Sequence, residues 1–366
     1  MNSRLHVCVF SVLCCIVSIL LVPQSTIAED LSGKDLTLRG RMAFYEGRYV
    51  DAERYLRQSV ARFEATPNGS PIDIAVARGD LAWLLVVKGS YGEAEQLLDS
   101  ALRILRSSRA ENCDHTAIIL GHLGTLYQKT GRYSRAEQSF KQTLKLSQRC
   151  VPWHIQIALN NLGTLYGETG RLKQAVAALE RSLALIEKQQ PRTDETTFIL
   201  AQSLTSLAAV HEIRRDFPVA ERLLLRAVPL LEESINGSYP GLASAFMSVA
   251  LEEFAWVHSE QGKLDEAIRE FQRAKDLEIR LGIGPRLAKL SLELADILTV
   301  KGNYDEAKIQ YEQALQYSEK DTAMSATIME RFSKLLRIMK ADGQAAEIEF
   351  RAKKIRAALA YTTSVK

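Results

Sequence analysis

From Leu159 to Leu183 the chain reads LNNLGTLYGETGRLKQAVAALERSL, and its small and apolar residues recur at helical spacing rather than in alternation. Leu162, Gly163 and Tyr166 lie one, three and four residues apart, which gathers them on one helical face. Ala175, Leu179 and Leu183 form the same kind of face in a second helix. Gly170 stands between the two runs, and glycine takes the left-handed helix-ending conformation at little cost. Gly163 and Ala175 are small where the helices should cross, so the axes can approach toward ~8 Å. The pattern predicts a helix–turn–helix hairpin. Such a hairpin cannot cover its own apolar face and needs neighbours to stack on.

Those neighbours are present. Leu120 to Leu144 reads LGHLGTLYQKTGRYSRAEQSFKQTL and matches the first segment at eleven of 25 positions. The turn-and-alanine phrase recurs at Gly47/Ala52, Gly89/Ala94, Gly131/Ala136, Gly170/Ala175, Arg215/Ala220, Gly262/Ala267 and Gly302/Ala307. The alanines are 42, 42, 39, 45, 47 and 40 residues apart. A degenerate eighth unit surrounds Leu335, Leu336, Gly343 and Ala345-Ala346-Glu347. A period in this range marks a repeat array with one continuous core, which overrides the two or three domains that length alone suggests. Six prolines (Pro67, Pro71, Pro152, Pro191, Pro240, Pro285) punctuate the junctions between units. Pro229 interrupts the second helix of unit five, where a kink is expected.

The Leu-Gly-x-x-Tyr helix, the Gly-Arg turn and the alanine followed four residues later by Phe140 or Leu179 resemble the tetratricopeptide repeat. The long period is similar to the kinesin-light-chain type. The resemblance covers about residues 33–355 and implies an all-α, right-handed superhelical α-solenoid of seven to eight repeats. It implies that first helices line a concave groove that receives a peptide or partner helix. The expected organisation is a leader over residues 1–28, a solenoid over 29–355 and a short tail over 356–366.

Composition agrees with a helical globular chain: 25% charged, 46% hydrophobic and 7% aromatic. The net charge of +3 comes without a lysine/arginine-rich block, so nucleic acid is not an expected partner. Arg4, the apolar run Val7–Val22 and the small residues before Glu29 have the layout of a signal peptide cut after Ala28. An uncleaved membrane anchor is the other reading, and it is the only membrane association expected. Cys14 and Cys15 follow Ser11-Val12-Leu13, which is a poor lipoprotein site, so lipidation is not expected. Either way the repeats lie outside the cytosol, periplasmic or secreted. Two sequons, at Asn68 and Asn236, matter only in a eukaryotic secretory pathway.

Loss of the leader leaves two cysteines, Cys113 and Cys150, an even pair in an oxidising compartment. Both fall at or just after the end of a second helix in consecutive units, on one edge of the stack. A disulfide between them and two separate thiols are both open readings. With His115 and His154 they make Cys-x-His and Cys-x3-His, which match no established zinc spacing, so no metal is expected.

No phosphate-binding loop, HExxH or nucleophile elbow occurs, and no cofactor or catalytic residue is assigned. His211 and His258 occupy the place of Tyr127 and Tyr166 and read as packed helix-face residues. The expected function is a non-catalytic scaffold for a protein or peptide partner. A structural or assembly subunit of an envelope complex, or a regulatory module of a separate enzyme, are the alternatives.

Groove residues are expected two and three before each small crossing residue and one and five after it. One after it stand Arg41, Trp83, Thr125, Thr164, Ala209, Trp256 and Asp296. The tryptophans are either exposed anchors or packed against the next repeat. Arg41, His122 and Lys129 lie toward one end of the array, and Glu252, Glu253, Glu260, Glu293 and Asp296 toward the other. Charge of this sense would steer a partner carrying a basic stretch. The resemblance adds Asn160 and Asn161, because kinesin-light-chain-like repeats use asparagines there to hold a peptide backbone. The lysine and asparagine of the chaperone-type carboxylate clamp are not matched.

Overall fold

The computed structural model describes residues 31–364 apart from 67–68, 109–111, 151–153, 190, 283 and 319–321. The leader expected over residues 1–28 lies outside the described residues. What is described contains sixteen helices and no strand. They pair into eight hairpins: α1 Gly33–Tyr45 with α2 Tyr49–Glu64, α3 Pro71–Val87 with α4 Tyr91–Ser107, and α5 Cys113–Lys129 with α6 Tyr133–Cys150. Next come α7 Ile155–Glu168 with α8 Leu172–Glu187, α9 Asp194–Ile213 with α10 Phe217–Ile235, and α11 Pro240–Glu260 with α12 Leu264–Leu281. The last two are α13 Gly284–Lys301 with α14 Tyr304–Tyr317 and α15 Ala323–Ile338 with α16 Asp342–Ser364. The final helix continues past the boundary expected at residue 355. Helix α10 runs on through Pro229, which is exposed.

The hairpins form for the reasons the pattern gives. A Cβ on Gly163 would stand 2.5 Å from Leu179 Cγ, so the α7–α8 crossing needs a residue without one. The turn glycines Gly47, Gly89, Gly131, Gly170, Gly262 and Gly302 all have positive φ, and Arg215 adopts it too, at 59°. Lys340, at φ 61°, holds the same place in unit eight and puts Ala345 in the signature position. The eighth unit therefore turns at Lys340 and not at Gly343, which lies inside α16. An acidic residue after the signature alanine reaches the basic residue after the next unit's turn: Arg132 with Glu95 at 2.6 Å, Arg171 with Glu137 at 2.7 Å, and Lys263 with Glu221 at 2.6 Å. The Gly-Arg and Ala-Glu signatures thus stitch one unit to the next.

First helices such as α9 and α11 each bury eleven residues around most of their circumference, whereas α12 buries one stripe. The difference follows from position. First helices of successive units touch each other as well as their partners, while second helices stand apart on the outside of the curve. The first helices therefore form the inner face.

The array curves back on itself. The α1–α2 turn packs against the start of α11, bringing unit one onto unit six. A Cβ on Gly241 would lie 2.1 Å from the Gly47 nitrogen, so only glycine fits there. Tyr45 and Tyr239 meet edge to face at 5.0 Å, and Leu242 and Leu281 pack on the apolar core of the first three units.

Cys113 and Cys150 are joined, with their Cα atoms 6.1 Å apart. They do not sit at the ends of second helices in consecutive units. Cys113 opens α5 and Cys150 closes α6, so the bridge staples the open end of a single hairpin. The antiparallel pairing of the two helices puts those ends side by side.

Candidate functional site on the inner face

The small crossing residues Gly40, Ala82, Gly124, Gly163, Ala208, Ala255 and Ala295 give the inner face a common register. In that register a ladder appears. The side chain one residue after the small position meets, in the next unit, the side chain two before it. Arg41 Nε donates to Asp80 Oδ2 at 2.7 Å. Trp83 stacks on His122 with ring centroids 4.7 Å apart. Thr164 Oγ1 donates to Ser206 Oγ at 3.4 Å. The Trp256 indole N–H lies against the Glu293 carboxylate, and Asp296 pairs with Arg331 of unit eight.

This arrangement corrects several expectations. Trp83 and Trp256 are half-buried seam residues packed on the next repeat, and Trp256 also meets Phe271 edge to face at 6.1 Å. The place three before the small residue belongs to the seam and not the groove: Thr37, Asn160, Thr205 and Glu252 are all buried there. The reason is geometric, since that place turns toward the adjacent first helix. Glu293 is buried as well. Arg41 is exposed but committed to Asp80, and Glu260 is committed to Arg215 at 2.8 Å. Asn161, Thr125, Thr164 and Glu253 are half-buried, and Lys129 is exposed. His211 faces Asp216 at 3.3 Å, and buried His258 faces Glu270 at 2.9 Å, both as packed helix-face residues.

The acidic end is partly neutralised by cations that no inner-face register points to. Lys289 reaches Glu252 at 2.5 Å and Glu293 at 3.6 Å; Arg286 pairs with Glu252 and with Glu278 at 3.0 Å. These side chains fill the space between α11 and α13, which approach less closely than other first-helix neighbours. Burial pushes the Glu252 carboxyl up, but Arg286 and Lys289 outweigh it and hold the group below the usual carboxylate range. Burial, with Glu252 adding to it, pushes Glu293 up to about 7. Burial also drives His122 down to about 4, so the ring stacked on Trp83 is neutral at pH 7.

Three residues of this register keep a hydrogen-bonding atom without a partner: His122 Nδ1, Asn160 Oδ1 and Glu293 Oε2. Exposed apolar side chains accompany them, Leu38 two before Gly40, Ile213 five after Ala208 and Val300 five after Ala295. These last were legible in the sequence, because they occupy register places. On the outer face a cavity of about 400 Å³ lies between α12 and α14, lined by Ile268, Leu294, Leu298 and Ile309 with Arg269 and Arg273 at its side. Among the described residues no cluster of ligating side chains could hold a metal ion, and no helix is long and apolar enough to cross a membrane.

A helical repeat solenoid with a polar, laddered inner face is a protein-interaction scaffold in architecture. The chain belongs to the tetratricopeptide repeat family: models of that repeat match residues 36–107, 73–149, 157–188 and 253–322, together more than half of the sequence. Solved structures repeat the fold at low identity. A Rap protein complexed with competence and sporulation factor aligns at 11% identity and TM-score 0.59, covering 90% of this chain and 99% of that one. The apo quorum sensor NprR from B. thuringiensis aligns at 13% identity and TM-score 0.58, covering 88% and 87%. A tetratricopeptide repeat protein from Parabacteroides merdae aligns at 17% identity and TM-score 0.50, covering 83% and 98%. No curated protein matches the sequence.

Proposed function

We propose that this protein is an exported, non-catalytic scaffold that binds an extended segment of a partner protein along its inner face. The observation that carries the reading is the polar register of the inner face, part of which the seams leave open across α5 and α7. Half-buried Asn161 and Thr125 and exposed Lys129 supply further contacts within reach of a backbone laid across α5 and α7. The Cys113–Cys150 bridge supports an oxidising compartment and so the exported location. The Rap protein bound to competence and sporulation factor shows the same architecture holding a ligand, which supports the reading without naming a partner for this chain.

Photo-crosslinking tests it directly. A benzophenone amino acid placed at Thr125 or Thr164 should capture the partner from the native exported fraction, and one at Ile309 should not. Charge reversal at Glu252 would disrupt the Arg286–Lys289 seam, so Asn161→Ala with Lys129→Glu is the cleaner pair. Those changes should weaken partner binding roughly tenfold while leaving helicity intact.

The outer cavity favours a second reading. Ile309 is 51% exposed beside it, and an assembly partner could pack there. Capture at Ile309 alone would replace the inner-face reading with this one.

A further inference from the structure

The repeat pattern breaks on the outer face, at the seam between units six and seven. Eight residues after the signature alanine, Val60, Leu102, Leu144, Leu183, Val228 and Leu315 carry an aliphatic side chain, but unit six has Lys275. Two after it stand Arg54, Gln96, Gln138, Ala177, Arg222 and Arg269, but unit seven has Ile309, which is 51% exposed. The stitching pair is replaced as well, since Ile268 and Asn303 hold the places that Glu95 and Arg132 fill two seams earlier in kind. A charge has moved inside and apolar residues outside, on the facing helices α12 and α14. Natural chains break such local rules chiefly at functional sites.

Lys275 is only 4% exposed. Its Nζ donates to Gln310 Oε1 at 2.6 Å and to Gln313 Oε1, both on α14, and to no carboxylate among the described residues. Asp276, the next residue on α12, accepts instead from Gln272 at 2.8 Å. A buried ammonium held only by amide oxygens keeps much of its desolvation cost. Burial pushes it below the usual lysine range, and Asp276 does not make up the difference. Gln310 also lines the outer cavity of about 400 Å³, so the ammonium lies one side chain behind the wall. Buried Leu294 and Leu298, half-buried Ile268 and exposed Ile309 supply the apolar lining. Arg269 and Arg273 stand at the side, engaged only by exposed Glu266 and Glu232, and such pairs hold weakly. Glu306 adds one carboxylate to the lining.

We propose that this outer cavity binds an alkyl carboxylate, with its chain on Leu294, Leu298, Ile268 and Ile309 and its headgroup on Lys275 beside Arg269 and Arg273. The cavity falls in the size range of small-ligand sites. Its apolar lining selects a chain, and the buried ammonium selects one negative charge. Rotation of Gln310 lets a carboxylate oxygen take the place of the amide oxygen on Nζ, which gives the ammonium a charge-assisted partner. An apolar side chain of an assembly partner would cover Ile309 but leave Lys275 as it stands, so the lysine favours the anion. The inference is independent of the inner-face reading.

The experiment titrates the purified full chain with octanoate and with 1-octanol and reads binding by saturation-transfer NMR. Octanoate should bind roughly tenfold more tightly than 1-octanol, as one charge-assisted hydrogen bond allows. Lys275→Leu, which restores the kind of residue other units carry, should remove that preference and leave 1-octanol binding unchanged. Ile309→Glu, a change at an exposed position, should weaken octanoate binding roughly tenfold by placing a carboxylate against the chain. Equal affinity for the two compounds overturns the carboxylate and leaves an apolar surface for an assembly partner. A preference that survives Lys275→Leu overturns the site, since the anion then binds elsewhere. Octanoate binding that Ile309→Glu leaves intact does the same, and binding of neither compound overturns the proposal outright.

Discussion

Gly241 at the start of α11 lies backbone to backbone against Gly47, in the turn between α1 and α2. A Cβ on Gly241 would fall 2.1 Å from the Gly47 nitrogen and 2.4 Å from its Cα. In a simple solenoid each unit answers only to its neighbours. Here unit one also answers to unit six.

Gly241→Val should therefore part the two units. Overpacking of this kind costs about 1–3 kcal/mol. Because the neighbour is backbone, local relaxation is not available. Hydrogen exchange should quicken around Glu46–Tyr49 and Tyr239–Leu242 together, with α7 and α8 unchanged. Faster exchange at only one of the two places would show that the contact does not couple them.

Gly163→Leu tests the ordinary nearest-neighbour coupling. The new side chain meets Leu179, whose Cγ would be 2.5 Å from even a Cβ, and should destabilise by about 1–3 kcal/mol or more. Exchange should rise chiefly in units three to five. An equal rise at both ends of the array would count against independent stacking.

Arg215→Gly should stabilise. Arginine at φ 59° carries the left-handed penalty of ~1–2 kcal/mol, offset in part by glycine's greater freedom in the unfolded chain. The lost Glu260 pair is exposed and contributes little. A net gain of about 1 kcal/mol is expected in urea unfolding, while Gly170→Ala should go the other way.

Reduction of Cys113–Cys150 should lower stability by about 2–4 kcal/mol, because the bridge closes a loop of 37-residue separation. Cys113→Ser should do the same without reductant. Denatured, unreduced protein should show no thiol reactivity at either position.

The raised carboxyls set a pH dependence with a definite sign. Glu293, up to about 7 in the fold, and Glu253, well above its ordinary value, bind protons in the folded chain that the unfolded chain releases. The stabilising effect of Glu293 is full below about 4.5 and is lost as pH rises through about 7, and Glu253 acts in the same sense. Glu53, Glu137 and Glu221, held down by hydrogen-bonded cationic neighbours, act in the opposite sense and lose their contribution below about 4.5. Glu293→Gln should flatten the loss between pH 5 and 8, on the order of 2 kcal/mol. Thermal melting of both proteins across that range is the measurement, and parallel curves would rule the assignment out.

Much of the architecture was legible in the chain alone. The hairpins, their turns, the small crossing residues and the stacking all follow from contacts within one repeat or between neighbours, and a repeating sequence writes such contacts over and over. Even Arg215 could be placed in a glycine's position by period alone. The closure of unit one on unit six could not, because it depends on a small rotation summed over five seams, and no local pattern records that sum. The same holds for the inner-face charges. Their register places were readable, but whether Glu252 faces water or Lys289, and whether Glu253 meets a cation or Glu212, depends on how closely each pair of first helices approaches. That spacing is a property of packed neighbours, so tertiary structure alone decided which carboxyls are neutralised by a cation and which are not.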